Sequence, residues 1–156
     1  ILALFIFALN NKSNFYLLLD FLALGAPIGL MLGRVANFIN GELYGRVTTL
    51  PWGMVFPAGG ALPRHPSQLY EAFFEGALLF LIMFLFFKKA NLKTGQLFAC
   101  FLMFYGFFRF GIEFFRAPDA QIGLFFNFFS MGQILSLIML TAGLVCFFIF
   151  KKKQEF

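Results

Sequence analysis

Apolar residues in this chain run in blocks longer than a soluble core helix needs. A helix requires about 20 mainly apolar residues to cross a membrane's hydrocarbon, and four stretches reach that length, at 16–39, 66–87, 95–115 and 130–150. Residues 1–9 form a fifth apolar run, too short to span and lacking the charged start of a signal peptide. It is expected to be half of a transmembrane helix in a sequence truncated at its N-terminus. The polar breaks differ in kind. Residues 40–65 carry Gly41, Gly45, Pro51, Gly53, Pro57, Gly59, Gly60 and Pro63, which disfavour a regular helix. A long loop between spans is more often functional than a mere connector, and Trp52 within it suits an interfacial anchor. The pattern predicts an all-α, polytopic integral membrane protein. It has four full transmembrane helices plus an N-terminal partial helix, in one transmembrane domain over residues 1–156.

Composition agrees: 61% of residues are hydrophobic and 12% charged, where a soluble domain carries about a quarter charged. The phenylalanines suit lipid-facing and packed surfaces equally and discriminate nothing. Cys100 and Cys146 lie inside apolar runs, with no metal spacing or disulfide frame, and read as packing residues. The net charge of +5 would suit nucleic acid, but its placement argues against that partner. Lys12, Lys88, Lys89, Lys93, Lys151, Lys152 and Lys153 all fall in connections that share one side of a four-span chain. The positive-inside rule makes that side cytoplasmic. The arginines do the opposite. Arg46 and Arg64 lie in the 40–65 loop, Arg116 opens the 116–129 loop, and Arg34 and Arg109 sit within spans near the same outer side.

An ionisable residue inside a span is costly and is a functional hypothesis by default. Arg34 and Asn37 close the first span; Gln68, Glu71 and Glu75 open the second; Tyr105, Arg109, Glu113 and Arg116 close the third. On a helix of about 100° per residue, Tyr105, Arg109 and Arg116 share a stripe that Glu113 borders. Arg34 and Arg109 each start roughly 10 Å below their outer helix ends, so both are expected in one cavity, gripping a phosphate bidentately. A blander reading stands beside this one: Arg109 and Glu113 as a neutralising i,i+4 pair, and Arg34 snorkelling to the interface. Asp20, near the inner end of its span, reads as interfacial or structural. The lone His65 lies in the outer loop, where histidine is ordinarily a hydrogen-bonding surface residue.

The run GRVANFINGELYGR at 33–46 closely resembles the hallmark segment of bacterial prolipoprotein diacylglyceryl transferases. The resemblance continues through PWGMVFP at 51–57, RHPSQLYE at 64–71 and EG at 75–76. It returns in YGFFRFGIEFFRAPDAQ at 105–121 and SMGQILS at 130–136. These matches are long and in the family's order. The resemblance implies transfer of the diacylglyceryl group of phosphatidylglycerol to the lipobox cysteine thiol in the signal-peptide region of a preprolipoprotein, with release of glycerol phosphate. It implies a multi-pass protein of the bacterial inner membrane, in contact with membrane lipid, with a periplasmic loop segment and its site toward the periplasm. It also implies that Arg34 and Arg109 handle the lipid phosphate, and that Asn37, Glu42 and Gly45 are functional positions of the hallmark segment. Tyr105 and Glu113 match polar residues around the second arginine. Arg116 and His65 join the substrate-binding expectation. The family's histidine-glycine-glycine motif and an earlier tyrosine belong to N-terminal helices and are not in this sequence. His65 is a second candidate base behind that upstream histidine, and substrate activation without a base is the remaining alternative. No cofactor, metal or nucleotide motif is found.

Two other classes fit the composition. A transporter or channel would line a path with the same Arg and Glu residues, but such proteins often carry paired repeats; no repeat is found, and the charges gather at one side rather than at the midplane. A structural membrane subunit would use Arg109 and Glu113 only to pair across helices.

Overall fold

The computed structural model describes residues 1–117 and 129–153. Most of the 116–129 connection, with Asp119, therefore lies outside the described residues, as do 154–156. Among the described residues the fold is helical, with isolated β-bridges and no strand. Helix α1 spans Leu2–Asn10. A short turn through Lys12, at φ 52°, leads to α2, Phe15–Ile39, whose first turn is capped by Asn14 accepting from the Tyr16 and Leu17 amides. Pro27, buried inside α2, removes one backbone donor, a defect that neighbouring helices make tolerable in membrane helices.

After α2 the chain turns through Gly41, at φ 68°, and Leu43, at φ 56°. The 40–65 segment then forms an irregular platform whose one helical turn among the described residues is Pro57–Gly59, as its glycines and prolines require. Bridges join Val47 and Met54 to Arg64, and Gly45 to Arg116. The next long helix, Ser67–Lys89, comprises α3 (Ser67–Glu71), a π-helical segment (Ala72–Leu78) and α4 (Leu79–Lys89). Helix α5 is Gln96–Ile112 and α6 is Met131–Lys153.

Among the described residues three helices are long and apolar enough to cross a membrane: Phe15–Ile39, Ser67–Lys89 and Met131–Lys152. The fourth expected span is shorter than predicted. It ends at Ile112 rather than 115, because the Phe115 amide turns back to the Ile112 carbonyl and the Phe115 carbonyl is taken by the Arg46 amide. At ~1.5 Å per residue its helical part reaches about 26 Å.

Packing follows small residues. A Cβ on Gly76 would lie 2.5 Å from the Met31 Cβ, and one on Gly106 would lie 2.7 Å from the Ser136 carbonyl oxygen. Gly143 meets the Ala99 carbonyl oxygen at 2.8 Å by the same measure. These glycines let α2 approach the π segment, and α5 approach α6, through near-contact of backbone, the means by which apolar helices gain cohesion where hydrocarbon surrounds them. The buried centre is Ala23, Leu79, Met83, Leu97 and Cys100. Cys100 and Cys146 are both free thiols, as packing residues would be.

The two ends of the bundle carry different cations. At one end Lys93 Nζ donates to the Lys151 carbonyl at 3.0 Å. There Asp20 takes a structural role: its two carboxylate oxygens accept the Gly95 and Phe98 amides at 2.7 and 2.9 Å, capping α5 from a different helix. At the other end Arg46 Nε donates to the Arg116 carbonyl at 2.8 Å.

Candidate functional site

The π-helical segment opens the helix where Glu75 sits, and such segments occur frequently at functional sites. Glu71 and Glu75, at 1% and 0% exposure, enter a space between α2 and the end of α5. Arg34 reaches them from α2, with Nε 2.6 Å from Glu71 Oε2 and Nη2 3.9 Å from Glu75 Oε2. From α5, Arg109 Nη1 stands 3.3 Å from both Glu71 Oε2 and Glu75 Oε1, while its Nη2 is 3.0 Å from Glu113 Oε2. Arg116, just beyond α5, closes the set with Nη1 3.1 Å from Glu71 and Nε 3.4 Å from Glu113. Arg109–Glu75 and Arg116–Glu71 are also aligned hydrogen bonds. Among the described residues three cations and three anions balance, which is the condition under which buried charges are tolerable.

Beside this network lies a cavity of about 690 Å³ lined by Ala26, Gly29, Leu30, Gly33, Arg34, Asn37, Phe101, Tyr105 and Met139. Its wall is mostly apolar, with the arginine, the amide and the phenol as its polar groups. Gly29 and Gly33 leave open space where side chains would stand. Such a cavity suits an amphiphile with one anionic group. Arg34 belongs both to the network and to the cavity wall. Arg109, Glu113 and Arg116 are not among the lining residues. The two arginines thus converge on the same glutamates, but at different distances from the open space.

The Glu113 carboxylate is held by α6. Ser130 Oγ donates to Glu113 Oε1 at 3.0 Å and accepts the Gln133 amide at 3.2 Å, while Gln133 Oε1 accepts the Ser130 amide at 3.0 Å. This is a reciprocal helix cap, and it points the positive end of the α6 dipole at an anion.

The remaining expected positions play other parts. Glu42 is exposed, with Oε1 3.4 Å from Asn40 Nδ2. Its backbone carbonyl accepts from Gln68 Nε2 at 2.6 Å, and the Leu43 carbonyl accepts from Ser67 Oγ at 3.2 Å. Both contacts hold the strained turn after α2. Gly45 is buried, with its amide bound to the His65 carbonyl at 2.9 Å. A Cβ there would lie 2.5 Å from the Phe115 carbonyl oxygen, so only glycine lets the loop meet the end of α5. His65 Nδ1 is 3.2 Å from the Tyr70 hydroxyl, which accepts from Trp52 Nε1 at 2.8 Å. Trp52 is thereby tied to the helix through Tyr70 while remaining 55% exposed.

The structure brings Arg34, Asn37 and Tyr105 to one cavity and Arg109, Glu113 and Arg116 to its supporting network. It leaves the Glu42 carboxylate and His65 outside the cavity lining. Sequence reasoning noticed Glu71 and Glu75 as costly charges without giving them a task, and it missed Gly132, Ser130 and Gln133. The S-x-x-Q spacing ahead of an apolar run was the available signal for that cap.

Fold and site define a class: a helical protein with helices long and apolar enough to cross a membrane, and an arginine–glutamate network beside an apolar cavity. The family model described as prolipoprotein diacylglyceryl transferase matches residues 1–149, and the chain belongs to that family. It is 58% identical over 144 residues, 92% of its length, to the phosphatidylglycerol–prolipoprotein diacylglyceryl transferase of Pseudoalteromonas translucida. It is 56% identical over 137 residues, 88% of its length, to the protein of that name from Geobacter sulfurreducens. To that of Aeromonas salmonicida it is 49% identical over 157 residues, covering all of this chain. The matched regions are 54%, 52% and 57% of those relatives, so the chain spans about half their length.

Proposed function

We propose that the protein containing this chain transfers the diacylglyceryl group of phosphatidylglycerol to the lipobox cysteine of preprolipoproteins in the bacterial inner membrane. The observation that carries the reading is Arg34, Asn37 and Tyr105 on the wall of an apolar cavity, in a chain of this family. In this reading the acyl chains lie on the surface formed by Ala26, Gly29, Leu30, Phe101 and Met139, and the lipid phosphate meets Arg34. The thiolate attacks the glyceryl carbon next to the phosphate. A carbon–sulfur bond forms, the carbon–oxygen bond breaks, and glycerol phosphate leaves with the electron pair. The thiol proton balances the charge gained by that phosphate. The guanidinium stabilises the charge that grows on the leaving oxygen, an effect that is large in a dry site. Arg109 holds the glutamates that hold Arg34, and Glu113, itself paired with Arg116, holds Arg109. His65 is a candidate for the base that takes the thiol proton, second to the histidine of the family's histidine-glycine-glycine motif. No cofactor is needed. The lysine end faces the cytoplasm and the 40–65 platform the periplasm, in a four-span arrangement.

The deciding experiment is Arg34→Ala in the full-length protein, with conversion of a prolipoprotein followed by its mass shift. Conversion is expected to fall by about two orders of magnitude or more, as on loss of one transition-state donor. Near-normal conversion would rule out Arg34 as the phosphate ligand.

A further inference from the structure

Glu71 is the point at which all three arginines of the network meet, Arg34 at 2.6 Å, Arg109 at 3.3 Å and Arg116 at 3.1 Å. At 1% exposure it is not on the cavity wall, so it acts on a bound lipid only through Arg34. A guanidinium has one unit of charge to share. A carboxylate at 2.6 Å on one side and a phosphate oxygen on the other draw on that same charge, and each weakens the other's hold.

Turnover makes this competition useful. The substrate phosphate is a diester with one negative charge, whereas the leaving glycerol phosphate is a monoester carrying up to two. A pocket of uncompensated arginines would bind the product more tightly than the substrate and would release it slowly. We infer that Glu71 is a positioning residue that competes internally with phosphate for Arg34, setting the site's anion affinity low enough for glycerol phosphate to depart. This rests on the reaction proposed above, although the anion-binding part can be measured without any transfer.

The test uses the full-length protein in detergent, with glycerol phosphate binding followed by calorimetry and transfer followed as kcat and KM for phosphatidylglycerol. Glu71→Gln keeps the shape and removes the charge. Glycerol phosphate is expected to bind at least about tenfold more tightly, the lower end of coupling between close charge pairs. Both kcat and KM should fall together, the pattern of a site that binds well and releases poorly. Glu71→Asp, which retains the charge, should return affinity toward the wild-type value. A merely structural Glu71 would give the opposite, weaker anion binding with a raised KM, and weaker or unchanged binding by a folded E71Q protein overturns the inference. Should E71Q not fold, Glu75→Gln reads the same effect at smaller amplitude, because Glu75 approaches Arg34 only to 3.9 Å; unchanged or weaker binding there overturns it equally. Failure of the proposed reaction would look different: the wild-type protein would leave prolipoprotein unmodified, whatever the variants bind.

Discussion

The Glu113 carboxylate occupies the space in which a side chain on Gly132 would stand: a Cβ at Gly132 would lie 2.6 Å from Glu113 Cδ and 2.7 Å from both carboxylate oxygens. The start of α6 is bare so that an anion can rest on it. Gly132→Ala favours the helix locally but forces the carboxylate away from Ser130 and Arg109. The variant is expected to lose ~1–3 kcal/mol of stability, as overpacked sites do, with reduced lipid transfer. Thermal unfolding in detergent and the prolipoprotein assay check both. An alanine variant as stable and as active as wild type would show that Glu113 has room to move.

Arg109 should tolerate no substitute. It serves Glu71 and Glu75 with one nitrogen and Glu113 with the other, a fork that a lysine ammonium cannot reproduce. Arg109→Met, which leaves buried carboxylates uncompensated, is expected to cost ~3–5 kcal/mol of stability. Arg109→Lys should be milder in stability yet still deficient in transfer. Chemical denaturation alongside the transfer assay separates the two effects. A lysine variant with full transfer would make the network merely neutralising.

Asp20 is expected to matter for stability and not for chemistry. Asp20→Ala leaves the Gly95 and Phe98 amides without their acceptor, at a cost of ~0.5–2 kcal/mol for a lost helix cap. Glycerol phosphate affinity should be unchanged, since the cap lies at the lysine end of the bundle. A shifted affinity in the calorimetric titration would contradict that separation.

His65 is already engaged through Nδ1 with the Tyr70 hydroxyl. His65→Gln should therefore retain prolipoprotein conversion to within about tenfold, well short of the two or more orders expected when a general base is lost. A collapse of conversion in a folded variant would move His65 into the role of base.

The lysine and arginine ends give a directional prediction. In intact cells a cysteine introduced at Lys89 should resist a membrane-impermeant thiol reagent, and one introduced at Trp52 should react. Labelling at Lys89 from outside would invert the topology.

Hydropathy made the three long helices legible, because the hydrocarbon thickness demands about 20 apolar residues whatever the partners. The irregular 40–65 segment was equally legible from its glycines and prolines. The end of α5 was not: the Arg46 amide, distant in sequence, takes up the Phe115 carbonyl and fixes the turn there. Arg34 and Arg109 could be placed at one depth by rise per residue, and they do converge. Their different relations to the cavity depend on how α2 and α5 rotate against each other, which close packing at Gly76, Gly106 and Gly143 decides. Glu71 and Glu75 were visible as expensive charges. That one of them joins three arginines is a property of three chain segments meeting, and no single segment encodes it.

The π-helical segment at Ala72–Leu78 gives the long helix Ser67–Lys89 two angular phases. An uninterrupted α-helix from Ser67 would carry Leu79 and Met83 to a different azimuth from the one they hold in the buried apolar centre. The wider turn takes up that offset, so the upper end can stay in register with Arg34, Arg109 and Arg116 while the lower end stays in register with Ala23 and Cys100. Losing a single residue from that turn would force the helix to choose between its two sets of neighbours.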